Sequence, residues 1–129
     1  TEVIIGVRPD FYFLLGAGGL FLAGLLLGAG GGILALAAVV PDLCVEIHSL
    51  FRRGKLAEAR KLQLDLVPLN KSLTETLGIP AIKYALDLLG YTGGPPRPPL
   101  RPLDEDGKAH IRQLLETLGL LKNPLDNSL

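Results

Sequence analysis

The stretch FYFLLGAGGLFLAGLLLGAGGGILALAAVV, Phe11–Val40, contains no charged residue. By hydropathy alone it is long enough for a membrane-spanning helix, which needs about 20 apolar residues. Gly24, Gly28 and Gly32 even stand at the GxxxG spacing of packed membrane helices. Its glycines, however, cluster in two patches instead of lying on one helix face. Asp10 and Asp42 flank the stretch on both sides, so no Lys/Arg asymmetry marks an inner end. A water-soluble alternative therefore competes. Phe11–Leu15 reads as a strand buried on both faces and closed by Gly16. Leu20–Leu27 lacks β-branched residues and reads as a helix that Gly28 ends. Gly30-Gly31-Gly32 is a poor helix interior and reads as a turn. Ile33–Val40 reads as a second strand. The whole is a β-α-β unit with a short helix, and its apolarity comes from burial. We prefer this reading.

The rest of the composition narrows the class. The chain has 129 residues, a formal net charge of zero and only 5% aromatic residues. It carries no global field that would recruit nucleic acid or an anionic membrane, so neither is expected as a partner. The single cysteine, Cys44, excludes an internal disulfide and a Cys-rich zinc site. It fits a reducing compartment, cytoplasmic or mitochondrial. Thr1–Asp10 shows no targeting order. A first residue Thr1 and the lack of any Met lead us to expect a portion of a longer product.

After Val40 the pattern turns amphipathic. Pro41-Asp42 is a helix start, and Leu43, Ile47, Leu50 and Phe51 recur at helical spacing up to Arg52-Arg53-Gly54. Leu56–Leu77 repeats the stripe through Leu62, Leu66, Leu69, Leu73 and Leu77, with Pro68 expected to kink or split it. A third stripe runs from Pro80 through Ile82, Ala85, Leu86 and Leu89 to Gly90. Tyr91–Pro102 is a Pro/Gly-rich crossing segment. Asp104 is placed to cap a last helix with Ile111, Leu114, Leu115 and Leu118 inward. The domain reading is 1–54, then a helical region 55–122, then a tail 123–129.

No catalytic set emerges from the residues themselves. Neither glycine patch fits GxGxxG: the third glycine would fall on Phe21 or on Ile33, and no GxxxxGK is present. A glycine-rich turn at the carboxyl end of a strand is still where α/β folds place ligands, although such glycines also serve simply to permit tight turns. His48 and His110 are not paired at ligand spacing, and no metal or other cofactor is expected. Cys44, without a local His partner, reads as a small core hydrophobe. Lys83 lies beside an apolar stripe and reads as solvated or salt-bridged. Arg52, Arg53, Lys55, Arg60 and Lys61 are interleaved with Glu58 and Asp65, as on a solvated helix face. Pro96–Arg101 matches PxxPxR but reads as a rigid connector.

The order of segments resembles one family. FYFLLGAG, LLLGAGGGILALAAVVPDLC, LFRRGKLAEARKLQLDLVPLNKSL, GIPAIKYALDLLGYTGGPPRPPL and LETLGLL are similar in order and spacing to the C-terminal half of the dihydrodipicolinate synthase / N-acetylneuraminate lyase family. The fourth segment is most like 4-hydroxy-2-oxoglutarate aldolases. The likeness spans Ile4 to Leu121. It implies an α/β chain forming part of a (β/α)8 (TIM) barrel: strand 7 at Phe11–Gly16, strand 8 at Gly32–Val39, their helices, and a C-terminal helical extension. It implies a homo-oligomer, tetrameric in the family. It also implies class I aldolase chemistry, in which a lysine forms a Schiff base with pyruvate or a related 2-oxo acid. The lysine, the proton-relaying tyrosine and the carboxylate-binding turn belong to the first six strands, so no catalytic residue is expected in this chain and the isolated chain is expected to be inactive. Two substrate-binding positions carry over: Gly16, at the end of strand 7, and Ile33, the aliphatic residue of strand 8 near the imine. Ala17 stands where relatives often have Ser or Asp, and Ala38 where they commonly have Asn. The alternative is a non-catalytic structural or assembly piece that needs a complementary half or self-association.

Overall fold

The computed structural model describes residues 11–121. The chain divides into two compact units, Thr1–Val67 and Pro68–Leu129. The first holds a parallel pair of strands, β1 (Leu14–Leu15) and β2 (Gly31–Gly32), with Leu14 opposite Gly31 and Leu15 opposite Gly32. Helix α1 (Phe21–Leu26) connects them and follows a 3-10 turn at Gly18–Leu20. Helix α2 (Pro41–Arg52) packs on α1 and on a second 3-10 turn, Ala35–Ala38. Helix α3 (Leu56–Lys71) follows.

The β-α-β order expected from Phe11–Val40 is present, but its boundaries differ. Gly30–Gly32 is not a turn: Gly31 and Gly32 are the second strand. The reason is crowding. A Cβ on Gly32 would sit 2.8 Å from Leu34 Cδ2, 2.9 Å from the Leu15 carbonyl oxygen and 3.0 Å from Phe21 Cε2. Only glycine lets β2 lie this close to β1 and α1. Ile33–Val40 is not a continuous strand, because the chain leaves the ladder after Ile33 and coils into the Ala35–Ala38 turn. The implied strand over Gly32–Val39 is therefore cut to its first residues. Burial on both faces of Phe11–Leu15 is also corrected. Phe11 is 59% exposed, Tyr12 86% and Leu14 50%, since β1 has β2 as its only hydrogen-bonded neighbour among the described residues. No helix among the described residues is long and apolar enough to cross a membrane. The glycines confine α1 to 6 residues.

The core of this unit is made of Phe21, Leu22, Leu25, Leu36, Val39, Ile47 and Leu50. Helix α2 starts with Pro41 in its first turn and Asp42 beside it, as its sequence predicts. It closes at Gly54, whose φ of 73° is in the left-handed region. There Lys55 N–H donates to the Leu50 carbonyl (2.9 Å) and Gly54 N–H to that of Phe51 (3.0 Å). This bond pair takes up carbonyls that a helix end leaves free. The same pair ends α1 at Gly28 and the last two helices at Gly90 and Gly119.

Pro68 does not split α3, which runs through it to Lys71 and then widens into a π-helical turn, Ser72–Thr76. The Leu64 carbonyl, which loses its usual donor to the proline, belongs to a residue on the solvent side (Leu64 is 58% exposed). Three hydroxyls bond carbonyls along the wide turn: Ser72 to Pro68 (3.2 Å), Thr74 to Asn70 (2.8 Å) and Thr76 to Lys71 (3.1 Å).

In the second unit α4 (Ile79–Leu88) packs against α5 (Glu105–Thr117). Ala81, Ala85, Ile111 and Leu115 are fully buried. The centre of the α4 face is thus Ala81 and Ala85, with Ile82, Leu86 and Leu89 only half-buried at its sides. Asp104 caps α5 as expected, its Oδ1 accepting the Gly107 N–H at 2.8 Å. The expected tail 123–129 lies outside the described residues.

Candidate functional site

Gly16 and Ile33 come together at the carboxyl end of the parallel strands. Gly16 follows β1 and Ile33 follows β2, one rung beyond the Leu15–Gly32 pair. The Ile33 N–H donates to the Leu15 carbonyl at 2.9 Å, which fixes Ile33 beside the end of β1. Ile33 is 76% exposed, and a Cβ on Gly16 would meet nothing within 4 Å. The two positions frame an open ledge: bare backbone on one side and an aliphatic side chain on the other. This is the end of a parallel sheet where α/β folds bind ligands. The strands themselves are Leu-Leu and Gly-Gly, so the ledge offers peptide groups and an apolar wall but no nucleophile or base from β1 or β2. Ala17 precedes the Gly18–Leu20 turn, and Ala38 ends the second 3-10 turn.

One further residue, which no sequence motif singles out, holds the turn between β1 and α1. Gln63, on α3, is 93% buried, with 7% of its surface exposed. Its Oε1 accepts the Leu22 N–H at 2.9 Å, and its Nε2 donates to the Gly18 carbonyl at 3.1 Å. The available signal was position. Gln63 lies on the helix face of Ala59 and Leu66, both fully buried, so a polar side chain there needs a partner.

The other singled-out residues fall elsewhere. Cys44 is buried, and burial pushes its thiol above the usual range, which keeps it protonated and unreactive. His48, one helical turn further on, lines the same apolar pocket of about 250 Å³ with Phe21 and Leu34. Lys83 is part-buried and forms no salt bridge among the described residues; its Nζ donates to the Gly93 carbonyl at 2.6 Å. Asp87 Oδ1 accepts the N–H groups of Gly93 (2.7 Å) and Gly94 (3.2 Å). Together they tie the Pro/Gly-rich segment to α4, and a Cβ on Gly93 would collide with the Lys83 carbonyl. His110 Nε2 lies 2.9 Å from Ser72 Oγ. The Ser72 hydroxyl also lies 3.2 Å from the Pro68 carbonyl, so it is held between the imidazole and the helix backbone. The basic cluster is exposed, and three of its members are paired: Arg53 with Glu46 (3.1 Å), Lys55 with Glu58 (3.0 Å) and Lys61 with Asp65 (2.7 Å). No group of three His, Cys, Asp or Glu that could hold a metal lies among the described residues.

Against known proteins, the model of the dihydrodipicolinate synthetase family matches residues 1–118. The chain belongs to this family. Over 113 residues it is 42% identical to a 4-hydroxy-tetrahydrodipicolinate synthase of Methanopyrus kandleri, covering 87% of this chain and 37% of that protein. A protein of the same name from Archaeoglobus fulgidus is 36% identical over 122 residues, covering 94% of this chain and 42% of the relative. Among solved structures, the dihydrodipicolinate synthase of Thermotoga maritima superposes with a TM-score of 0.80 at 34% identity, over 88% of this chain and 39% of that one. That of Aquifex aeolicus gives 0.82 at 31% identity, over 95% and 42%. The chain thus spans about two-fifths of the length of the family members it matches. These relatives are named as synthases, and the closer likeness to 4-hydroxy-2-oxoglutarate aldolases has no support from them.

Proposed function

We propose that this chain is the C-terminal portion of a dihydrodipicolinate-synthase-type lyase, supplying the last two strands of the (β/α)8 barrel and the helical region that follows. The observation that carries this reading is the order of elements. Strand, helix, strand and helix are followed, among the described residues, by helices alone. Barrel alternation therefore stops after α2. In this reading Gly16 and Ile33 line the pocket for a 2-oxo acid such as pyruvate. Gly16 leaves room for the substrate, and Ile33 shields the imine from water. The Schiff-base lysine comes from a part of the enzyme outside this chain. Once formed, the protonated imine draws electrons from the adjacent carbon, and a carbon–carbon bond forms or breaks there. The names of the relatives favour a synthase-type condensation over cleavage of 4-hydroxy-2-oxoglutarate.

The test is reductive trapping. The 129-residue chain, treated with pyruvate and borohydride, should gain no adduct by mass spectrometry. The intact polypeptide that contains it should gain one, on a lysine outside this segment. An adduct on Lys83, or on any other lysine of this chain, would refute the assignment. The second reading, a non-catalytic piece that works by association, draws on the exposed Phe11, Tyr12, Leu14 and Ile33 around the open strand edges. A monomer by light scattering with a sharp thermal transition counts against it.

A further inference from the structure

Helix α1 starts without a cap of its own. Its first-turn N–H groups need acceptors, yet Leu20 at the N-cap and Ala17 before the 3-10 turn supply no side-chain hydrogen bond. Gln63 supplies one from 41 residues away, accepting the Leu22 N–H. With its other end it donates to the Gly18 carbonyl, so one buried amide grips both ends of the turn between β1 and α1. The Ala17 carbonyl is joined to the same turn, accepting the Leu20 N–H at 3.1 Å. Across the ledge, Ile33 is fixed differently, by its direct bond to the Leu15 carbonyl. Among the described residues the Gly16–Ala17 side has no such ladder bond beyond β1, and its backbone runs directly into the turn that Gln63 holds.

We propose that Gln63 is a positioning residue for the substrate ledge: through Gly18–Leu22 it sets where the Gly16–Ala17 backbone stands relative to Ile33. This rests on the reading of Gly16 and Ile33 as pocket residues. It adds that a residue of the first helix after α2, without touching substrate, governs the geometry of the pocket wall. Glutamine suits the task because a single planar group offers an acceptor and a donor together. A glutamate would keep the acceptor for Leu22 but set a second acceptor against the Gly18 carbonyl.

The experiment uses the intact enzyme containing this segment and compares Gln63→Met, which keeps length and loses both bonds, with Gln63→Glu, which keeps one. Deuterium exchange at the Leu22 amide reads the clamp, and steady-state kinetics with pyruvate read the ledge. We expect faster Leu22 exchange in Gln63→Met, whereas Gln63→Glu, which keeps the Leu22 acceptor, should leave this exchange near the wild-type rate and raise KM through the lost Gly18 bond. KM for pyruvate should rise about tenfold in Gln63→Met, as a sub-ångström displacement of a binding wall would produce. A cap with a purely structural role would lower the melting temperature and the fraction of active enzyme, but leave KM per active site unchanged. In Gln63→Met, faster exchange with wild-type KM therefore overturns the proposal, as does unchanged exchange. If Gln63→Met does not fold, KM in Gln63→Glu decides: a wild-type KM despite the lost Gly18 bond overturns the proposal. A wild-type enzyme with no lyase activity sinks the functional reading instead, and the exchange measurement tells the two failures apart.

Discussion

Replacing Gly32 by alanine probes the contact on which the β-α-β unit depends. The new methyl would sit 2.8 Å from Leu34 Cδ2, 2.9 Å from the Leu15 carbonyl oxygen and 3.0 Å from Phe21 Cε2. Leu34 can rotate, but Phe21 is only 5% exposed and has little room to retreat. The Leu15 oxygen is backbone and already accepts the Ile33 N–H at 2.9 Å. Overpacking of this kind costs about 1–3 kcal/mol. Weakening the Ile33–Leu15 bond adds about 1 kcal/mol. Against this, alanine restricts the unfolded chain and returns about 0.4–1 kcal/mol. The net expectation is a loss of about 2 kcal/mol, close to a thirtyfold fall in the folded-to-unfolded ratio. Urea unfolding followed by circular dichroism measures it, and exchange of the Ile33 amide should quicken in parallel. Two neighbours serve as controls. Gly16→Ala meets nothing within 4 Å, and Gly30→Ala meets Tyr12 Cδ1 only at an ordinary 3.5 Å, so both should leave stability nearly unchanged. If Gly32→Ala proves as stable as Gly16→Ala, the close approach of β2 to β1 is not what requires glycine there.

Leu115→Ala removes a side chain that is 0% exposed from the α4–α5 contact and should cost about 2–5 kcal/mol in the same unfolding assay. Asp104→Ala deletes the bond to the Gly107 N–H and should cost about 1 kcal/mol, with the exchange of the first turn of α5 rising accordingly. Cys44 should react slowly with a thiol reagent in the folded chain and rapidly in urea. Because burial raises its folded pKa above the unfolded value, the folded chain holds a proton that the unfolded chain releases first. Its contribution to stability is complete below the unfolded thiol pKa and is lost as pH rises toward the folded one. Cys44→Ala should flatten that alkaline loss in a series of melts against pH.

Much of the helical half can be read from the sequence because its signals are local. Pro41, Gly54, Gly90, Asp104 and Gly119 act on the residues beside them, and the structure puts each at the helix end its chemistry predicts. The Leu66, Leu69 and Leu73 stripe is buried for the same reason, since a period of 3.6 residues already states which side faces inward. The glycine-rich half was legible only in outline. Local propensity rates Gly31-Gly32 as a turn and Ile33–Val40 as a strand, yet the ladder runs through the glycines because a side chain there would strike Leu15 and Phe21. Propensity measures the cost of a conformation in isolation and is blind to atoms brought in from elsewhere. Lys83 shows the same limit: its charged neighbours in sequence are Glu75 and Asp87, but its partner is the Gly93 carbonyl, delivered by the fold of the Pro/Gly-rich segment.

The sequence by itself determined the alternation of apolar segments and glycines, the helix boundaries beyond Val40, and Gly16 as the residue that closes the first strand. The tertiary structure alone decided which glycines form the ladder and that Gln63 is the cap of a helix 41 residues away. The division follows the range of the forces. Capping and periodicity act within a turn or two of the chain. Close packing and the pairing of buried polar groups depend on neighbours that exist only once distant segments have met.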